Sequence, residues 1–223
     1  MLTRDNTSTM DNTQRMIALL GRLRKQMNGA VAETMATDGQ AYGLNYGVSI
    51  ATIREIVAEE PKDYDFAKYL YRQQVRELKL AACHIAEAKR VDVNEFPFWS
   101  RGIANAELAE ELAFALLSKI YDINSLMGVW STESNEMIAY AALMAASRNE
   151  RTTMEVAFVA SEKAVRANPD SRYIANGVVA LMCYVASRDK SVRVGVPTLL
   201  ESMPEGRAKR IIAEELDWRM DYL

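Results

Sequence analysis

An all-α chain laid out as a curved array of antiparallel helix pairs is what this sequence predicts, on three observations. Glycine and proline are scarce, 10 and 5 among 223 residues, and they fall between segments of helical apolar spacing rather than inside them. The alternation of β-branched and polar residues that marks a half-buried strand is nearly absent. The phrases Ala142–Arg148 and Ala180–Arg188 both begin Ala-Leu-Met and both end Ala-Ser-Arg, hinting at a repeat of about forty residues, the period of stacked helix-pair arrays. A closed bundle would favour fewer and longer helices than this chain punctuates.

Residues 1–11 are polar, lack the apolar segment of a secretory signal, and are expected to be a disordered leader. Helices are then expected at Asn12–Met27 and Ala30–Thr37, followed by an irregular stretch at Asp38–Val48. Gly47 supplies a permissive turn, and the Ser49 hydroxyl caps a helix over Ile50–Glu59 that Pro61 closes. Tyr64–Tyr71 and Gln74–Ala88 follow, the second carrying a small-residue face in Arg76–Ala82 that lets a neighbour approach closely. Val91–Ala104 reads as irregular, anchored by Phe96, Phe98 and Trp99 around Pro97. The remaining helices are expected at Asn105–Tyr121, Asn135–Arg148, Met154–Arg166, Arg172–Ser187, Val192–Glu201 and Glu205–Met220. Short connections make consecutive helices antiparallel partners.

Composition narrows the function classes. A chain of 223 residues is expected to form a single domain that needs no staples. Cys83 and Cys183 sit in apolar helical runs, which fits reduced thiols and a cytoplasmic protein. One histidine and no Cys/His cluster leave no metal site, no histidine triad and no expected cofactor; His84 lies off its helix's apolar stripe and is expected at the surface. The longest apolar run, Gly177–Ala186, is about half of what a bilayer requires. Net charge is −3, but it is uneven: residues 1–30 carry five basic and two acidic side chains, residues 101–150 three basic and seven acidic. That middle segment repels a duplex unless its carboxylates face away from it.

The phrase Tyr46-Gly47-Val48-Ser49, the arginine-bearing helix after it, and Arg76-Glu77-Leu78-Lys79-Leu80-Ala81-Ala82 together resemble the DNA alkylation repair family, the HEAT-like-repeat alkylpurine DNA glycosylases. The resemblance is good over residues 44–87, continues to about Met203, and is absent from the first 37 residues. It implies a protein that binds duplex DNA and excises N3- or N7-alkylated purines without flipping them out. A fixed carboxylate stabilises the positive charge that grows on the sugar, and aromatic faces hold the cationic nucleotide.

Carried over residue by residue, the catalytic acid falls on Glu110, in the phrase Asn105–Glu110. At about 100° per residue, Leu108, Leu112, Ala113, Leu116, Leu117 and Ile120 cover one half of that helix. Glu110 then lies just past the apolar edge, with Glu107 and Glu111 further into solvent; all three also favour the dipole of a helix start. The family's two tryptophans fall on Ala106 and Ala180, its arginine pair on Ile138 and Ala139, and a later arginine on Cys183. Trp130 does match a tryptophan common at that place but reads first as packing, Trp99 could approach the groove but reads first as a plain anchor, and Trp218 reads as core or cap. Arg101, Arg148, Arg151 and Arg188 lie near repeat junctions, where they could reach phosphates or simply end helices. Two readings follow: an alkylpurine DNA glycosylase-like repair protein acting on duplex DNA through Glu110, or a non-catalytic HEAT-like module that binds a protein or structured nucleic acid. A basic groove favours DNA, and a neutral or acidic one favours protein.

Overall fold

The computed structural model describes residues 11–37 and 42–222, so the expected leader, all but Asp11, and part of the expected irregular stretch at 38–48 lie outside the described residues. The described chain is helical, with one isolated parallel bridge between Leu44 and Val75 and no named strand. It packs as two compact units that divide between Ala86 and Glu87.

The first unit holds α1 (Asn12–Arg24), α2 (Gly29–Thr37), α3 (Ile50–Val57), α4 (Tyr64–Tyr71) and α5 (Arg76–Ile85). Ser49 caps α3 as expected, its Oγ accepting from the Thr52 amide at 3.1 Å. Asp63 caps α4 through the Phe66 amide at 3.0 Å and also pairs with Arg15 of α1 at 2.6 Å. Arg22 donates to Glu59, Glu60 and the Ile56 carbonyl, tying α1 to the end of α3. The loop between α2 and α3 is held from below. The wholly buried Glu77 carboxylate accepts from the Tyr46 and Val48 amides, and Arg76 donates to the Val48 carbonyl at 2.7 Å and to Glu77 at 3.0 Å. Gly47 turns the loop at φ +69°, and a Cβ there would meet the Asn28 carbonyl oxygen at 2.1 Å. The expected helix at Gln74–Ala88 starts two residues later, because Val75 is extended and Leu44 pairs alongside it, its amide donating to the Gln74 carbonyl and its carbonyl accepting from the Arg76 amide. His84 is half-buried rather than at the surface, and its carbonyl accepts from the Lys62 ammonium.

The second unit contains α6 (Phe96–Ser100), α7 (Ala106–Ala115), α8 (Ile123–Trp130), α9 (Glu136–Ala146), α10 (Met154–Ala167), α11 (Arg172–Arg188), α12 (Val192–Ser202) and α13 (Arg207–Arg219). Helices α7, α9, α11 and α13 pack each on the next in one layer, and α8, α10 and α12 form a second layer against them. The first-layer helices begin at Ala106, Glu136, Arg172 and Arg207, so the repeat is 30 to 36 residues rather than about forty. Small residues set the spacing: Ala139, Ala141, Ala142, Ala145 and Ala146 of α9 are fully buried, and a Cβ on Gly177 of α11 would stand 3.0 Å from the Leu143 side chain.

Three elements differ from expectation here. The aromatic segment is not wholly irregular: Pro97 enters the first turn of the short helix α6, which buries Phe96 and Trp99. Helix α8 was not expected; its amphipathic run is only eight residues and carries Gly128. The helix expected to reach Tyr121 stops at Ala115, and a tighter 3₁₀ turn over Leu117–Lys119 points Leu116, Leu117 and Ile120 all inward.

Two outcomes follow from the first unit. Gly47→Ala forces a β-carbon into a left-handed turn against a backbone oxygen and should cost more than about 2 kcal/mol in urea unfolding. Burial pushes the Asp63 carboxyl up, but the Phe66 amide and Arg15 together outweigh it and hold it below the usual carboxylate value. The folded state therefore binds fewer protons than the unfolded one, so this contribution is present above about pH 4 and drains away as pH falls further. Asp63→Asn, which keeps the cap, should flatten the acid side of a stability-versus-pH curve measured from pH 6 to 3.

Candidate nucleic-acid interface

Helix α7 presents Ala106, Glu110 and Phe114 along one line, four residues apart, because Leu108, Ala109, Leu112 and Ala113 are buried on the other side. Asn105 fixes where the helix starts, accepting from the Leu108 amide at 2.9 Å. Glu110 is half-buried, as its place at the apolar edge implied. Glu111 is not in solvent: it is 3% exposed, since a wheel places a residue against its own helix's stripe and says nothing of what packs on the flanks.

From α9, the Tyr140 hydroxyl donates to Glu110 Oε1 at 2.7 Å. From α11, the Tyr173 ring lies 5.4 Å from that of Tyr140, tilted by 55°, and stays 40% exposed. Burial raises the Tyr140 phenol well above its ordinary pKa, and the hydrogen bond and negative charge of Glu110 raise it further against the opposing pull of Arg148. The phenol is thus a fixed donor, and one carboxylate oxygen is committed to a charge-assisted bond. One tyrosine binds the carboxylate and a second packs on its ring, although both family tryptophan positions, Ala106 and Ala180, are small. Nothing in the spacing of single tyrosines on separate helices pointed to this.

The expected arginines divide. Arg148 lies over the Phe114 ring at 4.0 Å and donates to Ser147 Oγ at 3.0 Å. Arg151 lies 5.1 Å from the Tyr121 ring and pairs with Glu150 at 3.4 Å. Arg188 lies 5.5 Å from the Tyr184 ring and donates to the Thr152 carbonyl at 3.0 Å. The connections carrying them are stitched together: Asn149 donates to the Ile120 carbonyl, Asn124 to the Arg151 carbonyl, and the Thr153 amide to Asn124. Arg151 and Arg188 share a cleft of about 340 Å³ with Thr152 and Asp189. Arg101 is exposed just beyond α6, and among the described residues no hydrogen bond, ion pair or ring contact joins it to this row.

The three connections at this edge hold Lys119, Arg148, Arg151 and Lys190 with Asp122, Glu150 and Asp189, and Arg188 ends α11 beside them. At the opposite edge, residues 131–135, 168–171 and 203–206 hold Glu133, Asp170 and Glu205 and no lysine or arginine, while Arg166 stands in the last turn of α10 and Arg172 and Arg207 begin α11 and α13 beside them. The acidic excess of the middle segment is thus partly placed at the far end of the helices. This polarity was readable from the connections once they were taken alternately, but only with α8 recognised, since that helix decides which loop falls at which edge.

The tryptophans do not line the candidate site. Trp130 is 2% exposed, with the Phe96 ring edge-on at 6.3 Å, so it packs in the core and offers no face to a base. Trp99 is fully buried. Trp218, expected as a core or cap residue, is not in the core: it is 51% exposed with Arg219 stacked over it at 4.6 Å. Of the positions where the family's arginines fall, Ala139 is buried and Ile138 half-buried. Burial raises the Cys183 thiol, with the Arg219 guanidinium of α13 pulling it back and Glu215 adding to the rise. Among the described residues no helix is long and apolar enough to cross a membrane, and no group of three His, Cys, Asp or Glu could hold a metal ion.

The Tyr140 bond makes a measurable claim. Tyr140→Phe should cost about 1–3 kcal/mol of stability by leaving the Glu110 carboxylate without its donor. In a double-mutant cycle with Glu110→Gln the two losses should fail to add, and additivity within about 0.5 kcal/mol would show that the bond contributes nothing.

No curated relative matches the chain in sequence. Among solved structures, a protein described as belonging to "a new family of proteins related to the HEAT-like repeat DNA glycosylases with affinity for branched DNA structures" superposes with a TM-score of 0.68 at 15% identity. The match covers 94% of this chain and 95% of that one, and shows a common HEAT-like fold. A family model described as DNA alkylation repair enzyme matches residues 19–170, more than half the sequence, and with the helix-pair array around Glu110 it establishes that this chain belongs to the DNA alkylation repair family.

Proposed function

We propose that this chain is a DNA-binding member of its family that grips structured DNA through the arginine edge and does not excise alkylated purines at a useful rate. The observation that carries the reading is the row of three arginines at one edge of the second unit, Arg148, Arg151 and Arg188, each backed by an aromatic ring. A guanidinium laid on a ring loses little conformational freedom on meeting a phosphate and keeps its outer N–H groups for it. Phosphate contacts orient a helix array on nucleic acid without reading sequence. The affinity for branched DNA stated for the related structure agrees with this class of partner.

The reduced chemistry has its own support. Stabilising the developing sugar cation requires a carboxylate aimed at it in a closed, aromatic-walled pocket, where little water screens the charge. Here Ala106 and Ala180 leave both walls open, and Tyr140 takes one Glu110 oxygen. Glu110 then serves chiefly to fix the buried Tyr140, on whose ring the exposed Tyr173 packs.

Binding of duplex, nicked and four-way-junction DNA across a salt series tests the reading. The logarithm of the binding constant should fall linearly with log salt, and Arg148→Ala, Arg151→Ala and Arg188→Ala should each flatten that slope by about 0.9. Glu205→Gln at the opposite edge should leave it unchanged. Release of 7-methylguanine from alkylated duplex should not exceed the spontaneous rate. Release above that rate that Glu110→Gln lowers by about 10²-fold would restore the enzyme reading, and no binding at low salt would remove the DNA partner.

A further inference from the structure

Helix α10 is the middle helix of the α8–α10–α12 layer, and Glu155, Val159 and Lys163 form a single exposed stripe along it, four residues apart. Val159 is 51% exposed, and beside it stand Val129 of α8 at 47% and Val194 of α12 at 83%. Shallow apolar grooves run on both sides of α10. One of about 470 Å³ is lined by Met154, Phe158, Val192 and Val194, and one of about 210 Å³ by Gly128, Val156, Val159 and Ala160. Apolar side chains grouped on one exposed layer mark a contact surface rather than scattered exposure.

The charges say what covers it. Glu155 and Lys163 are separated by two helical turns and more, about 12 Å along the axis, too far to pair with each other. Among the described residues neither has an ion-pair partner. They lie at equal distances on either side of Val159, with opposite signs. A two-fold axis crossing α10 at Val159 therefore sets Glu155 of each chain against Lys163 of the other, and Val159 against its own counterpart. A heterologous partner gives no reason for this symmetry; a second copy of this chain does.

We propose that the outward stripe of α10 is a self-association surface, on which two copies pair antiparallel about Val159. Val129 and Val194 then meet their counterparts on either flank. The layer bearing Glu110 and Tyr140 faces the other way and stays open in each copy. With α10 about 21 Å long and helices about 8–10 Å apart, three helices cover roughly 400–600 Å² per chain, at the low end for specific interfaces. Association is accordingly weak and concentration-dependent.

Sedimentation velocity of the full chain should show the mass rising toward twice that of one chain between about 1 and 300 µM, the range that suits an interface this small. Glu155→Lys and Lys163→Glu, each of which creates two like-charge contacts, should separately weaken association about tenfold or more. The double variant should recover it, and because it carries both changes to the helix, recovery cannot come from helix stability. Val159→Asp should abolish association with unchanged far-ultraviolet circular dichroism. A single-chain mass at every concentration, or a double variant as weak as the single ones, would overturn the proposal.

Discussion

Close packing of α9 between α7 and α11 is what the rest of the second unit depends on. Five alanines of α9 are fully buried and Gly177 of α11 faces Leu143, so the helix axes can approach without long side chains between them. That approach lets a tyrosine on α9 reach a carboxylate on α7 at 2.7 Å while its ring meets a second tyrosine on α11 at 5.4 Å. It also brings the connections at the ends of these helices near enough to share hydrogen bonds, so the arginines stand on a stitched edge rather than on independent loops. Alanine contributes little by its own burial; its effect is to let larger groups meet.

The charge of the whole chain is a poor guide to this surface. Thirty acidic and 27 basic side chains nearly cancel, and a net −3 suggests no affinity for a polyanion. In physiological salt a charge is felt over about 8–10 Å, so a phosphate responds to the edge it touches and not to the total. At the edge that carries the three arginines, Lys119, Arg148, Arg151, Arg188 and Lys190 outnumber Asp122, Glu150 and Asp189.

In the first unit, a buried ion pair organises a loop. Arg76 and Glu77 are both almost completely buried, and burying two charges is costly even when they pair. Here the cost is offset by the loop amides of Tyr46 and Val48 and the Val48 carbonyl, which would otherwise be buried backbone groups without partners. The pair dictates one path for residues 46–48, and Gly47 is the residue that path requires. A well-packed apolar pair could match its stability but could not hold those amides.

The sequence alone determined the helical class, most helix starts and the chemistry of the turn at Gly47, because caps, breakers and helical spacing are local and act within a few residues. Ser49, Asn105 and the stop near Pro61 needed no tertiary information. Glu110 at the edge of its stripe was legible for the same reason. What lay beyond was non-local. Helix α8 is too short to announce itself, and without it the alternation of edges, and so the separation of charges, could not be read. Glu111 was misplaced because exposure is decided by what packs on a residue from elsewhere in the chain. Tyr140 and Tyr173 became a pair only when α9 and α11 came together, since two side chains on different helices have no relation in sequence until packing brings their rings to contact distance.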